Sequence, residues 1–176
     1  MPDECVQANR QPNSYGCFIC GLANPIGLKM VFHEDRESKL VSARLSVPER
    51  YRSYPGVVHG GIVATILDET SGRALMIHSE DINDFFVTAK MEVRYRGATP
   101  TETPLLAVGW VERYGDRARV RGELCLAETE HEEPRVLAEC TSLCVRAQTA
   151  FLEGWDQEVP YWRVYSDGEL AEAGTG

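Results

Sequence analysis

The sequence contains no apolar run that approaches the roughly 20 residues needed to cross a bilayer. Positive charge is also scarce, because 18 Lys and Arg stand against 27 Asp and Glu, for a formal net charge of −9. Non-specific nucleic-acid binding requires a basic surface. We therefore expect neither a membrane protein nor a nucleic-acid-binding protein. The N-terminus has neither the basic nor the apolar region of a secretory signal, which favours a cytoplasmic location.

Cysteine is too sparse for a disulfide scaffold, with six residues in 176, and this usage suits a reducing compartment. Cys17 and Cys20 have CxxC spacing. Structural zinc takes four ligands, and Cys5 and His33 would have to complete the set at unorthodox spacings. No second CxxC exists, and no thioredoxin-like βαβ pattern follows the pair. We interpret the two cysteines as small buried residues in a turn and expect no metal site.

The chain length fits one domain with a sizeable core. We divide it into a polar, turn-rich N-terminal arm (1–25), a body (26–147) and a C-terminal tail (148–176). The tail holds two tryptophans, two tyrosines and an acidic end. We expect it to pack its aromatic side chains and then to fray.

Hydrophobic periodicity predicts one long helix among six antiparallel strands, an α+β fold. The predicted elements are strands from Leu28 to about 33 and over 39–47, a helix over about 60–78, and strands over 85–95, 104–114, 117–127 and 135–146. The third strand alternates cleanly between apolar and polar residues. Because one helix covers only one face of such a sheet, we expect self-association.

A glycine-rich turn leads into the long helix, and an acid follows two turns later. Residues 54–72 read YPGVVHGGIVATILDETSG. Each glycine costs roughly 1 kcal/mol relative to alanine in a helix, so the adjacent pair indicates a purpose other than helix stability. Asp68 has no basic partner on its helix face, whereas Glu69 is expected to form a solvated ion pair with Arg73. Asp68 is the acid that needs an explanation.

The start of this helix suits chemistry on an acyl group. A helix N-terminus presents unpaired N–H groups and a positive dipole end, and Gly60 and Gly61 remove side chains that would block a ligand oxygen. A carbonyl bound there would have its developing negative charge stabilised. Asp68 shares a stripe of small side chains with Gly61 and Thr65, and its carboxylate could activate water or attack directly. The alternative is tight packing of the helix start on a strand.

These residues resemble a known family. HGGIVATILDE, preceded by YPGVV and followed by VTAKMEVRYRG, resembles the PaaI-type acyl-CoA thioesterases of the hotdog-fold superfamily. CFICGLANPIGLKM resembles the lead-in of one bacterial branch. The likeness runs from about Cys17 to Val145, and its signature acid, nine residues after the histidine of HGG, is Asp68. It implies a hotdog fold in which a six-stranded antiparallel sheet wraps one long helix, with dimers joined through their sheets and often tetramers.

The resemblance also implies roles for individual residues. Active sites lie at the dimer interface, where Asp68 of one protomer, as general base or nucleophile, faces the Gly60 N–H of its partner, which serves as oxyanion donor. Thr88 matches a hydroxyl that positions water. His59 holds the turn by hydrogen bonds rather than acting as a base. The substrate implied is an acyl-CoA, hydrolysed without a metal or any other cofactor.

Other candidate residues are less specific. Many relatives have Asn or Gln six residues before the HGG histidine, where this chain has Ser53, a shorter hydrogen-bond donor. Gly61 and Thr65 are predicted to contact substrate. Arg94 and Arg96 share one face of a strand and are the candidates for binding the CoA phosphates, with cross-strand pairing to glutamates as the alternative.

Two other functions stay open at this point. A non-catalytic acyl-CoA-binding or regulatory module would keep the pocket; Ser53 favours it, and the retained Asp68 and glycines oppose it. A hotdog hydratase or dehydratase would have a catalytic histidine just before a Phe-Pro-Gly turn. Here that run is Ser53-Tyr54-Pro55-Gly56, without a histidine.

Overall fold

The structure, a computed structural model, describes residues 10–81, 83–127, 135–148 and 153–174. Cys5, the rest of the first nine residues, the predicted turn at 130–134 and parts of the tail lie outside the described residues. The regular elements of the described chain are β1 His33–Asp35, β2 Leu40–Ser46, β3 Arg52–Tyr54, β4 Val57–Val58, α1 Gly60–Arg73, β5 Phe86–Tyr95, β6 Pro104–Arg113, β7 Arg117–Leu126, β8 Val136–Arg146 and α2 Asp167–Ala173.

Six strands form one antiparallel sheet in the order β1-β2-β6-β7-β8-β5, and β3 and β4 form a separate hairpin. Helix α1 packs on one face of the sheet and buries Val63, Ile66 and Leu67 against it. A 3₁₀ turn over Ala74–His78 continues the helix to the predicted end. The predicted α+β fold, one long helix on a six-stranded antiparallel sheet, is confirmed. None of the described helices is long and apolar enough to span a membrane.

The helix lies unusually close to the sheet because two glycines face it. Gly109 of β6 and Gly122 of β7 are direct partners in the ladder. A Cβ on Gly109 would overlap the carbonyl oxygen of Thr70, and one on Gly122 would lie 3.3 Å from that of Leu67. The two glycines therefore form a groove, the glycine groove, that accepts the backbone of α1.

The predicted first strand is wrong in its position. Leu28–Phe32 precede β1, and Lys29 has a left-handed φ of 51° that interrupts extended structure. The N–H groups of Leu28 and Met30 donate to carbonyls of the arm, those of Phe18 and Ile19, rather than to a sheet neighbour. Buried and half-buried residues therefore alternate in this segment because it packs between the arm and the core.

The arm and the tail both pack on the body. Asn13 of the arm is buried, and its side-chain amide donates to the carbonyls of Cys20 and Met30. The tail does not simply fray: α2 begins with a capping box formed by Ser166 and Glu169 and buries Leu170.

The glycine groove yields a stability prediction. Gly109→Ala should lower the free energy of unfolding by about 1–3 kcal/mol, because the new methyl group overlaps the helix backbone. Gly72→Ala is the matched control, since nothing lies within 4 Å of a Cβ there and the residue is inside α1. That variant should be as stable as the wild type, or more stable by up to about 1 kcal/mol. Denaturant titrations of both variants test the groove, and equal stabilities would contradict it.

Candidate active site

The start of α1 is shaped by His59, which is its N-cap. The Nδ1 atom of His59 accepts a hydrogen bond of 2.9 Å from the Gly61 N–H. The hydroxyl of Tyr95 donates to the Gly60 carbonyl at 2.7 Å. No acceptor among the described residues takes the Gly60 N–H. The turn therefore satisfies Gly61 internally and leaves the Gly60 N–H for another group.

Asp68 lies two turns further along the helix, and Thr88 of β5 holds its side chain. The Thr88 hydroxyl donates to Asp68 Oδ1 over 2.7 Å. No side chain of the described residues donates to Oδ2, so that oxygen is available to accept a proton. The bond to Thr88 fixes the rotamer of the acid.

A β-bulge aims Thr88 at the acid. The register between β5 and β8 shifts between Thr88 and Lys90. Met91, three residues after Thr88, packs against the core on the helix side, and a regular strand cannot point residues at an odd separation to one face. The predicted clean alternation of this strand is therefore wrong, and the error falls at Thr88, whose hydroxyl donates to the Asp68 carboxylate.

Cys144 of β8 lies behind Thr88, with its Sγ 3.9 Å from the Thr88 hydroxyl oxygen. Burial raises the pKa of the Cys144 thiol, and the nearby Asp68 carboxylate adds to the increase. Cys144 is therefore a neutral packing residue near neutral pH. This leaves the Oδ2 atom of Asp68 as the candidate reactive group next to Thr88.

Asp68 lines a cavity of about 390 Å³ between the helix, β5 and the tail. The volume is within the range of small-molecule sites. Its wall mixes apolar side chains with the acid, and the lining residues are Asp68, Glu69, Gly72, Arg73, Leu75, Met76, Asp84, Phe85, Phe86, Val87, Thr88 and Trp162.

Sequence reasoning missed most of this cavity wall. Trp162 comes from the tail and packs with Phe85 and Trp155, with ring centroids 4.7–5.6 Å apart. The cluster of aromatics in the tail was the available signal, but nothing in the sequence indicates the surface on which they pack.

None of the remaining candidate residues forms a hydrogen bond with Asp68 in the described part of the chain. Ser53 is exposed in the β3–β4 hairpin, and its hydroxyl has no hydrogen-bond partner among the described residues. The Thr65 hydroxyl donates to the Gly61 carbonyl one turn back. Arg96 forms a double hydrogen bond with Glu139 across the sheet at 2.8 and 3.0 Å, whereas Arg94 is exposed and has no ion pair within the described ranges.

The ion pair between Glu69 and Arg73 is present at 2.8 Å, but it is not solvated as expected. The Arg73 side chain is only 4% exposed and that of Glu69 is 29% exposed. Both residues line the cavity, and Arg73 also donates to the Pro12 carbonyl where the arm crosses the helix.

Comparison with known proteins agrees with this fold. Residues 55–126 match the family model of the thioesterase superfamily. A solved structure of a thioesterase superfamily protein is 24% identical and superposes with a TM-score of 0.62 over 73% of this chain, which spans only 59% of that structure's length. A search of curated proteins finds no significant match.

Two further solved structures are similar. A putative thioesterase, phenylacetic acid degradation-related protein from Ralstonia eutropha is 20% identical, with a TM-score of 0.56 over 67% of this chain and 85% of its own. Zebra fish thioesterase superfamily member 2 is 23% identical, with a TM-score of 0.53 over 61% and 75%. At these identities the likeness shows the shared fold. The expected hotdog fold and thioesterase-superfamily match are confirmed, and the PaaI-type assignment stays a prediction.

The cap at the helix start can be tested by stability alone. His59→Ala should lower the free energy of unfolding by about 1 kcal/mol, because the Gly61 N–H loses its acceptor. His59→Asn should recover most of the loss, since asparagine is a favoured N-cap residue. Denaturant titration distinguishes the two variants, and an alanine variant as stable as wild type would contradict a capping role.

Proposed function

We propose that this protein is a PaaI-type thioesterase that hydrolyses an acyl-CoA to a carboxylic acid and free coenzyme A. One observation carries the proposal: the Asp68 carboxylate is fixed by Thr88 on the wall of a cavity of ligand size, and its other oxygen accepts no side-chain hydrogen bond from the described residues. The thioesterase-superfamily match supports the reaction class. No cofactor is needed beyond the coenzyme A of the substrate.

In the general-base route, Asp68 removes a proton from water, and the oxygen of that water attacks the thioester carbonyl carbon. The carbonyl oxygen becomes an oxyanion that the Gly60 N–H stabilises. Collapse of the tetrahedral intermediate breaks the carbon–sulfur bond, and the CoA thiolate takes the proton from Asp68. In the alternative route, Asp68 attacks the carbonyl carbon itself, and the carbon–sulfur bond breaks to release the CoA thiolate. Water then hydrolyses the resulting anhydride, which regenerates Asp68, releases the acid and supplies the proton that the thiolate takes up.

We assign the two halves of this site to two protomers. Gly60 and Asp68 are eight residues apart on one helix, and a rise of 1.5 Å per residue separates them by about 12 Å. One carbonyl group cannot contact both at that distance. A two-fold dimer in which Asp68 of one protomer meets Gly60 of its partner resolves this, and the exposed Tyr54 and Tyr95 beside the helix start are available to such an interface.

The acyl chain is assigned to the cavity beside Asp68 and the coenzyme to the outer end of β5. Phe85, Phe86 and Trp162 give the cavity an apolar wall. Arg94 is the better candidate for a CoA phosphate, because Arg96 is already paired with Glu139. The exposed Ser53 hydroxyl is held by no hydrogen bond among the described residues, so we propose that the Gly60 backbone N–H acts on the carbonyl without it.

The first test concerns the acid. Asp68→Asn should reduce turnover of an acyl-CoA by at least ~10²-fold, because an essential acid–base or nucleophilic group is lost. Thiol release from acetyl-, hexanoyl-, lauroyl-, benzoyl- and phenylacetyl-CoA is the measurement. Asp116→Asn, the same change at an exposed aspartate between β6 and β7, should leave turnover unchanged.

Two outcomes of this test would contradict the proposed mechanism. A wild type that releases no thiol, yet is stabilised against heat by CoA esters, would favour the binding-module alternative. An active wild type with an equally active Asp68→Asn variant would remove the acid from the mechanism. Single-turnover hydrolysis in H₂¹⁸O then tests for direct attack: when water attacks the Asp68 carbon of the anhydride, the label enters Asp68 and the first product keeps an unlabelled oxygen from the enzyme, which the general-base route cannot give.

The second test concerns the cavity wall. Trp162→Ala should change the ratio of kcat/KM between aromatic and long-chain acyl-CoAs, because it removes an apolar wall that contacts the acyl group. Trp155→Ala is the matched control: its ring packs in the same aromatic cluster but does not line the cavity. Both variants should lose stability, and only the first should change acyl preference. An unchanged preference in Trp162→Ala would place the acyl chain elsewhere.

A further inference from the structure

The CxxC pair of the arm meets an acidic side chain of α1. The Sγ atoms of Cys17 and Cys20 and a carboxylate oxygen of Glu69 all lie within 4.8 Å of one another. Cys20 is buried, and the other two are half-buried. These three side chains, the arm–helix cluster, come from segments almost fifty positions apart in sequence.

The arm holds both sulfurs in one tight turn. The Gly21 N–H donates to the Cys17 carbonyl at 2.8 Å, and a Cβ on Gly21 would overlap the Cys17 backbone. The Ile19 N–H donates to Cys17 Sγ at 3.3 Å, and the Asn13 amide holds the Cys20 carbonyl at 2.8 Å. Backbone geometry thus places the two thiols before any ligand binds.

A buried cation lies beside the cluster. Arg73 donates from Nε to Glu69 Oε1 and from Nη1 to the Pro12 carbonyl, while its buried Nη2 has no acceptor among the described residues. The guanidinium is ion-paired with Glu69, so a fixed positive charge lies next to one side chain of the cluster.

We propose that Cys17, Cys20 and Glu69 bind one zinc ion that fastens the arm to α1. Two thiolates and a carboxylate are ligands that zinc accepts, whereas calcium and magnesium require oxygen ligands throughout. Zinc binding displaces the protons of both thiols. Glu69 keeps Oε1 on Arg73 and offers Oε2 to the metal, and the fourth tetrahedral position goes to water on the half-buried side.

Charge balance favours this occupant. Zinc with two thiolates and one carboxylate carries a net charge of −1, which the adjacent Arg73 guanidinium neutralises. A disulfide between Cys17 and Cys20 would remove the negative charge from both sulfurs and leave the Arg73 guanidinium with Glu69 as its one ion-pair partner among the described residues. Glu69, a residue that sequence spacing did not connect with the pair, raises the number of protein ligands from two to three, and water supplies the fourth.

Metal titration of the whole chain tests the site. The protein, treated with EDTA and a phosphine reductant and then freed of the chelator, is titrated with zinc against a chromophoric competitor. We expect one zinc per chain, with affinity at least ~10²-fold lower in Cys17→Ser and Cys20→Ser and about 10-fold lower in Glu69→Gln. Cys125→Ser, the same change at a buried thiol of β7, should bind zinc like the wild type.

Measurements on the wild-type protein test the site even if a cysteine variant fails to fold. Zinc should protect Cys17 and Cys20 from alkylation by iodoacetamide, and cobalt should give a thiolate charge-transfer band that the Cys125→Ser protein retains. Failure of the wild type to bind zinc, or binding unchanged by Cys17→Ser, would overturn the proposal. Formation of a Cys17–Cys20 disulfide with oxidised glutathione in a protein that takes no zinc would identify a redox pair instead. None of these measurements depends on thioesterase activity.

Discussion

The close approach of α1 to the sheet is the constraint on which the candidate site depends. Gly109 and Gly122 are paired in the ladder and let the helix backbone at Leu67 and Thr70 lie directly on the strands. Asp68 is between those contact points, so its height above the sheet is set by backbone packing rather than by its own side chain. Backbone packing of this kind is stiff. The 2.7 Å bond between Asp68 and Thr88 follows from it.

Much of this architecture was predictable because it is encoded by local pattern. The helix begins at Gly60 as predicted, and β5 to β8 agree with the predicted strands to within one residue. The position of the acid on the helix follows from counting residues. The bulge at Thr88, by contrast, depends on how β5 pairs with β8, and no local pattern specifies an unpaired residue. The sequence therefore identified Thr88 as a residue of the site but did not reveal the bulge that turns it toward Asp68.

Long-range burial explains the other misses. Met30 and Phe32 alternate like a strand because the arm covers one side of them and the core the other. Glu69 and Arg73 have the spacing of a surface ion pair, yet the arm buries the arginine. In the second case the local signal was correct about the contact along the helix. It carried no information on which distant segment would exclude water.

Arg73 connects these distant segments at the edge of the candidate site. Its guanidinium lies 4.7 Å from the centroid of the Phe32 ring and 5.1 Å from that of Trp162, while Nη1 holds the arm carbonyl of Pro12. A cation so deeply buried is stable only if its neighbours are negative or have accessible π faces. Glu69 of the helix provides the negative charge, and Phe32 and Trp162 provide the π faces. Since Trp162 also lines the cavity beside Asp68, the charge balance around Arg73 fixes the wall against which a substrate would bind. Glu69 belongs both to the arm–helix cluster and to the ion pair with Arg73, which couples the proposed zinc clip to the shape of that wall.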